Sequence, residues 1–317
     1  MATQTQTAVA APDFGPSLLS RRWRGARRFV RRQPLGAFGI FVIVTLLILA
    51  IFAPLLTDIG PTEIGNDVLV EPGSAHWFGT NRAAQDMWSR VLYGGRPSLT
   101  VGVAVVLVSV LGGTVLGLMA GYLGGWVDIV ISRAFEVLNS VPSILFGLVI
   151  GASLGPKLDD KLGSDFIINP RLLAIVIAVS IAFLPAIGRI LRGGVIAERN
   201  RQYVEAARVI GATEARVMFA HVLPNLLPLM IVLASTSLPA AILTEAALSY
   251  LGVGLPYGDP SWGGDLGGSA RALFSLAPWL AIFPGIALGL TVLAFNLLGD
   301  SLRDELDPRL RGSGLRG

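Results

Sequence analysis

The sequence has 317 residues and contains no cysteine, only two histidines and only two lysines. The absence of cysteine excludes disulfide bonds, zinc–thiolate sites and thiol catalysis. The two histidines, His76 and His221, are too few for a histidine metal cluster, and neither begins an HExxH motif. The lysines, Lys157 and Lys161, do not belong to a G-x-x-x-x-G-K-[ST] phosphate loop. We therefore expect a chain that is not an enzyme and that binds no metal, ATP or other cofactor itself.

Charged side chains are also scarce, because they make up 15% of the sequence, whereas soluble domains have about 25%. The mean hydropathy is +0.66. Six stretches contain no charged residue at all: 33–57, 97–127, 137–156, 172–188, 217–244 and 272–299. A helix that spans a bilayer needs about 20 mostly apolar residues, within a range of about 17–25. The pattern predicts an all-α polytopic membrane protein with about six transmembrane helices.

These stretches also predict how the chain is organised. The expected spans are 35–57, 97–122, 129–153, 171–190, 226–247 and 276–299. They separate an Arg-rich tail at 1–34, the first helix at 35–57, an external segment at 58–95, a core of five helices at 96–300 and a tail at 301–317. A secretory signal peptide is the alternative for the first span. Its apolar run is longer than the roughly 7–15 residues of a signal core, so we interpret it as a retained anchor.

The distribution of arginine predicts the orientation of the helices. Basic residues are most frequent before the first span, between the fourth and fifth spans, and after the sixth. Because such loops stay on the cytoplasmic side, both termini and the loop 193–225 are expected in the cytoplasm. Arginine flanks beside anionic lipid also account for the pI of about 9.8, so no nucleic-acid partner is expected.

The predicted cytoplasmic loop contains two short, charged, helix-forming segments. Glu205, Ala206 and Ala207 belong to the first, Gly211 is placed for a left-handed C-terminal residue, and Thr213 is placed to cap the second. A helix-turn-helix DNA reader has a similar pattern. Spanning helices on both sides leave no soluble three-helix core for such a reader. Apolar residues in this position favour a docking surface for another protein over a simple connection.

Several motifs resemble those of permease subunits of ABC importers. The triplet E-A-A at 205–207, Gly211 four residues later and Leu223-Pro224 resemble the EAA loop of that family, with His221 at the position of its isoleucine. The peptide and nickel branch shows H-V-L-P-N at this place. Further segments fit the same branch, over about residues 35–311: HWFGT at 76–80, SRVLYGGRPSL at 89–99, EAALSYLGVGL at 245–255 and NLLGDSLRDELDPRLR at 296–311.

The resemblance implies the C-type subunit of a heterodimeric permease for di- or oligopeptides, in the inner membrane of a bacterium. The implied partners are a homologous second permease subunit, two ATP-binding cassette subunits that hold ATP and Mg²⁺, and an external solute-binding protein. The loop is implied to couple to an ATPase subunit through Glu205, Ala206, Ala207, Gly211, Thr213, His221, Leu223 and Pro224. Nickel chelate, glutathione and opine stay open as substrates.

Residues inside the spans are the remaining candidate sites. Gly113, Gly117 and Gly121 are four apart, which predicts that another helix approaches closely in lipid. Glu245 is a candidate for the translocation path, although a structural role near an interface is favoured for it and for Glu136. An ion-gradient-driven secondary transporter or channel is the alternative from another class. It needs ionisable residues at mid-depth, which the centres of the six stretches lack.

One external segment departs from the branch. After HWFGT the branch has D-x-x-G-R-D, whereas residues 81–86 of this chain read N-R-A-A-Q-D. The departure leaves the partner and the substrate subtype open, more than it does the family.

Overall fold

The computed structural model describes residues 30–162, 169–256 and 258–306. Within these residues the chain forms helices and no β-strand, which confirms the all-α prediction. Most of the two predicted tails, 1–34 and 301–317, lies outside the described residues. The helices are α1 (Pro34–Ile51), α2 (Ala53–Leu56), α3 (Met87–Leu123), α4 (Gly125–Asn139), α5 (Ser143–Leu162), α6 (Pro170–Arg199), α7 (Gln202–Val209), α8 (Glu214–Tyr250), α9 (Trp262–Leu266), α10 (Gly268–Ala272) and α11 (Trp279–Leu306).

Five of these helices, namely α1, α3, α6, α8 and α11, are long and apolar enough to cross a membrane. The sixth predicted span is the pair of α4 and α5, which meet at an angle of 86°. The bend lies just before Pro142, where the sequence predicts an interruption inside one helix at 129–153. Proline donates no backbone hydrogen bond and disfavours a helical conformation in the residue before it. The chain therefore changes direction here instead of continuing as one rod.

α3 begins at Met87, whereas the sequence predicts a span from 97, so the end of the predicted external segment 58–95 belongs to this helix. Asp86 caps it, because its carboxylate accepts a hydrogen bond from the N–H of Ser89 at 2.8 Å. A helix of 37 residues is about 55 Å long, against about 30 Å of hydrocarbon in a bilayer. Part of α3 must therefore extend beyond the membrane core.

α3 and α6 form the most extensive helix contact in the described residues, and three glycines allow it. Gly113, Gly117 and Gly121 all face α6. A Cβ atom on Gly117 would lie only 2.8 Å from the carbonyl oxygen of Gly188 and 3.0 Å from the amide nitrogen of Arg192. The two backbones are thus as close as glycine permits, and α3 and α6 pack as one unit. α5 packs against α6, α8 against α3, and α11 against both α1 and α8.

Candidate functional site

The predicted coupling loop lies at one end of the bundle, around the turn between α7 and α8. Gly211 has a φ of +86°, a left-handed conformation that glycine adopts without steric cost. Its N–H donates to the carbonyl oxygen of Arg208 at 2.9 Å. Thr213 caps α8, because its hydroxyl accepts from the N–H of Arg216 at 3.4 Å. The left-handed glycine and the threonine cap therefore stand where the sequence predicts them.

The turn exposes large apolar side chains. Val209 is 82% exposed and Ile210 is 85% exposed, directly before Gly211, and we call these three residues the α7 tip. Glu205 and Ala206 are also exposed. Glu205 makes no side-chain hydrogen bond or ion pair with the described part of the chain. An apolar pair presented on a tight turn is typical of a surface that another protein covers.

Ala206 and Ala207, which the resemblance places together in the coupling loop, have different surroundings. Ala207 is buried together with Val204, in a cluster that includes Leu118 of α3 and Val195 of α6. Ala206 faces outward, because successive residues of a helix point in different directions. The small side chain of Ala207 therefore lets α7 pack closely on its own chain.

α8 contains the remainder of the predicted loop. It begins at Glu214, whereas the sequence predicts the fifth span from 226, and its segment Val217–Val222 has π-helical hydrogen bonding. This segment includes His221 and ends before Leu223 and Pro224. A proline inside a helix donates no backbone hydrogen bond and disturbs the turn before it, and a π segment accommodates such an irregularity. Pro224 thus lies inside a continuous helix, ahead of the predicted start of the fifth span at 226.

Tyr122, near the end of α3, contacts both sides of the turn. Its hydroxyl donates a hydrogen bond to Glu214 and lies 3.4 Å from Nη2 of Arg208. Arg208 also pairs with Glu214 at 3.2 Å. The hydrogen bonds to Tyr122 and Glu214 raise the pKa of Arg208, so this side chain stays charged. Arg199 of α6 donates to the carbonyl oxygens of Gly121 and Tyr122, at 3.1 and 2.6 Å. The contacts join α3, α6, α7 and α8.

A second chain of hydrogen bonds holds α7 to α6 and α8. The hydroxyl of Tyr203 donates to Glu198 at 2.8 Å and accepts from the side-chain amide of Asn225 at 3.1 Å. The same amide donates to the carbonyl oxygen of His221 at 2.7 Å. Partial burial and the neighbouring Glu198 raise the pKa of Tyr203, so its hydroxyl keeps the proton that it donates. α7 is therefore tied to the spanning helices at its first turn through Tyr203 and at its last turn through Arg208.

The opposite end of the bundle contains a cleft of about 670 Å³ between the external segment and the residues that follow α8. Arg90 of α3 lies in its wall and is only 5% exposed. Burial raises the pKa of the neighbouring Asp265, and the charge of Arg90 opposes that shift. The guanidinium donates to Asp265, Gln85 and the carbonyl oxygens of Pro61, Gly258 and Asp259. One side chain thus connects three separate segments.

The departing segment 81–86 forms part of the same wall. The side-chain oxygen of Asn81 accepts from the N–H groups of Ala83 and Gln85, both at 2.9 Å, and its amide donates to the side chain of Gln85. A neutral pair therefore stands where the branch has aspartate and arginine. Ala84 occupies the position of the branch glycine with a φ of +54°, a conformation that costs a non-glycine residue roughly 1–2 kcal/mol. Neutral side chains therefore hold this turn.

Glu245 and Glu136 have different environments. Glu245 of α8 is fully buried, and Ser249 donates to one of its carboxylate oxygens at 2.7 Å. Its other oxygen has no hydrogen-bond partner within the described residues. Glu136 is exposed and pairs with Arg133 on the same helix, a type of contact that contributes little to stability. The structural interpretation fits Glu136, and a role of Glu245 in the translocation path stays a prediction.

Two family models match the chain. The first, described as "Binding-protein-dependent transport system inner membrane component", matches residues 113–312. The chain belongs to this family. The second, "N-terminal TM domain of oligopeptide transport permease C", matches residues 21–70. The chain is therefore a multi-pass inner-membrane permease of the ABC importer class, as the motifs predict.

This permease is also similar to proteins of named function. It is 40% identical over 290 residues to a dipeptide transport system permease protein of Alkalihalophilus pseudofirmus, across 91% of this chain and 90% of that protein. It is also 40% identical over 290 residues to a glutathione transport system permease protein of Pectobacterium atrosepticum, across 90% of each chain. A chain of the MetNI methionine ABC transporter, solved in inward-facing conformations, matches with a TM-score of 0.52 and 17% identity, across 70% of this permease and 97% of that chain. At that identity the likeness concerns the fold alone.

Several residues of these two ends were not singled out from the sequence. These residues are Tyr122, Arg208, Glu214 and Arg90. A signal is present for Tyr122, because a tyrosine directly after the Gly113–Gly121 series lies on a helix that must pack closely. Sequence alone gives no such signal for the partners of Arg90, since Asp265 is 175 positions away.

Proposed function

We propose that this permease is one transmembrane subunit of an ATP-driven importer for small peptides. The observation that carries the proposal is the α7 tip, which presents Val209 and Ile210 almost fully to solvent on a well-held turn. Exposed apolar area of this kind is stabilised when a partner removes it from water. A groove of a cytoplasmic ATPase subunit is the partner surface that this position and the family motif favour.

In the proposed assembly this chain pairs with a homologous second permease subunit, two ATP-binding cassette subunits and an external solute-binding protein. The α7 tip faces the cytoplasm, and the 670 Å³ cleft faces outward. The arginines of the loop and of the C-terminal tail support that orientation. ATP and Mg²⁺ belong to the ATPase subunits, because this sequence contains no phosphate loop, and the permease has no catalytic activity of its own.

Movement at the tip would reach the spans through the contacts described above. When ATP binding brings the two ATPase subunits together, the groove that holds the tip displaces α7. α7 is bonded to α3 through Tyr122 and to α6 and α8 through Tyr203. Because these contacts join several helices, the displacement passes into the spans and opens the path alternately to each side.

Small peptides are the substrate class that the relatives support. The two proteins at 40% identity are named for dipeptide and for glutathione transport, and glutathione is itself a modified tripeptide. Dipeptides are the first candidate, and glutathione is the second. A co-purified binding protein and the compound that it holds would distinguish them.

A cross-linking experiment tests the docking of the tip. Because the native chain has no cysteine, Ile210→Cys introduces a unique thiol at the tip. In membranes that contain the full complex, a short thiol–amine cross-linker is expected to join this position to an ATPase subunit. Val115→Cys, an exposed position on α3 within a predicted span, is the matched control and is expected to give no such product. An assembled complex without a cross-link at Ile210 would contradict the proposal.

A further inference from the structure

Tyr122 connects a buried apolar cluster with an exposed ion pair. The residue is 7% exposed and packs in the cluster that contains Leu118 of α3 and Val204 of α7. Its hydroxyl reaches out of this cluster to Glu214 and Arg208, whose side chains are substantially exposed. Apolar contacts have no direction and permit sliding, whereas a hydrogen bond fixes the geometry of its partners. The hydroxyl therefore supplies a directional contact that the cluster alone lacks.

The end of α3 that carries Tyr122 is fixed to α6. A Cβ atom on Gly121 would lie 2.8 Å from the carbonyl oxygen of Arg192 and 2.9 Å from Cβ of Val195, so the two helices are in close contact here. Arg199 then donates to the carbonyl oxygens of Gly121 and Tyr122. These carbonyls are among the last of α3 and have no partner within the helix, which a cationic donor compensates. Tyr122 thus extends from a rigid pair of helices.

The partners of Tyr122 stand on both sides of the turn at Gly211. Arg208 belongs to the last turn of α7, and Glu214 is the first residue of α8, with Gly211 between them. The ion pair of Arg208 and Glu214 closes this turn at 3.2 Å. The guanidinium carbon of Arg208 also lies 6.0 Å from the ring centroid of Tyr122, at the limit of a cation–π contact. One tyrosine therefore contacts both sides of the joint.

We propose that Tyr122 is a positioning residue for transport: its hydroxyl makes the α7–α8 joint and the α3–α6 pair move as one unit. The proposal rests on the proposed function, because it requires an ATPase subunit that displaces the α7 tip. Without the hydroxyl the turn still forms, since the Arg208–Glu214 pair and the Thr213 cap remain. The tip still docks, but its displacement is absorbed at the joint. ATP is then hydrolysed without a matching movement of peptide.

The test measures peptide transported per ATP hydrolysed by the full complex in proteoliposomes, with radiolabelled dialanine as the probe. Tyr122→Phe is expected to lower this ratio severalfold while the ATPase rate is retained. Tyr93→Phe is the matched control, because Tyr93 lies on the same helix and its hydroxyl makes no hydrogen bond within the described residues. Glu214→Ala, which removes the acceptor of the tyrosine hydroxyl, is expected to lower the ratio as well. Adding Tyr122→Phe to this variant is expected to lower the ratio no further, because the contact is already lost.

A second readout needs no substrate. Spin labels at Leu123→Cys and Gln202→Cys, two exposed positions on α3 and α7, report the distance between these helices with and without ATP. In the complex with native Tyr122, the distance between the labels is expected to keep one narrow distribution. In the Tyr122→Phe complex, this distribution is expected to broaden or shift when ATP binds.

Three results would overturn the role of Tyr122: an unchanged transport ratio, an unchanged distance distribution, or loss of the ATPase subunits from the purified complex. The last would make the hydroxyl an element of assembly instead of transmission. If the native complex hydrolyses ATP but moves no dialanine, the proposed substrate fails, and the label distances still decide the role of Tyr122.

Discussion

Arg90 joins the external segment, α3 and the residues after α8, and its removal is expected to destabilise this end of the permease. Arg90→Met keeps much of the side-chain volume but removes six hydrogen bonds. It also leaves the carboxylate of Asp265, which is 6% exposed, without an opposite charge. Removal of one partner of a buried ion pair costs about 3–5 kcal/mol, because the remaining charge stays out of water. The double variant Arg90→Met/Asp265→Leu removes that charge and is expected to recover most of the loss.

Thermal unfolding of the purified permease in detergent measures this effect. At about 2 °C per kcal/mol for a large chain, the single variant is expected to lower the apparent Tm by about 6 °C or more. Arg271→Met is the matched control, because Arg271 is an exposed arginine on the nearby α10. A decrease of less than about 2 °C for Arg90→Met would refute the reasoning. A double variant as unstable as the single one would show that the stranded charge is not the cause.

Three further changes test other parts of the account. Gly211→Val is expected to lower uptake severalfold, because a φ of +86° disfavours a branched residue. Its membrane abundance is expected to stay normal, because no atom lies within 4 Å of a new Cβ. Normal uptake would show that the turn is a simple connection. Gly117→Leu is expected to reduce the amount of folded permease in membranes, because even a Cβ would lie 2.8 Å from a backbone oxygen of α6. Gly289→Leu is the control, because a side chain there has open space. Equal abundance of the two variants would contradict this packing. Val70→Cys is expected to react with an impermeant thiol reagent only from outside and Ile210→Cys only from inside, and the reverse pattern would overturn the orientation.

The spanning helices could be predicted from the sequence because a bilayer excludes charge. Each of the six charge-free stretches corresponds to a long helix or, for α4 and α5, to a bent pair. Hydropathy did not predict where α3 and α8 begin. Both helices continue beyond the apolar stretch, and their first residues are set by the caps Asp86 and Thr213, which act through local hydrogen bonds. Hydropathy thus predicts which residues lie in the membrane, whereas capping determines where these helices begin.

The candidate site could be predicted only where it depends on interactions between residues that are close in the sequence. The left-handed turn at Gly211 depends on a few neighbouring residues, and these are adjacent in the sequence. The contact of Tyr122 with Glu214 joins residues 92 positions apart and exists because α3 and α6 pack at their glycines. The inward direction of Ala207 likewise depends on which face of α7 meets the bundle. Such contacts require the tertiary structure.

Uptake by the reconstituted complex tests the central claim most directly. Proteoliposomes contain this permease, its second permease subunit and the two ATPase subunits, with the binding protein outside and radiolabelled dialanine as the probe. The account predicts uptake that requires ATP on the side of the α7 tip and stops when the ATPase subunits are omitted. Uptake that an ion gradient drives without ATP or ATPase subunits would contradict it, and would identify the chain as a secondary transporter.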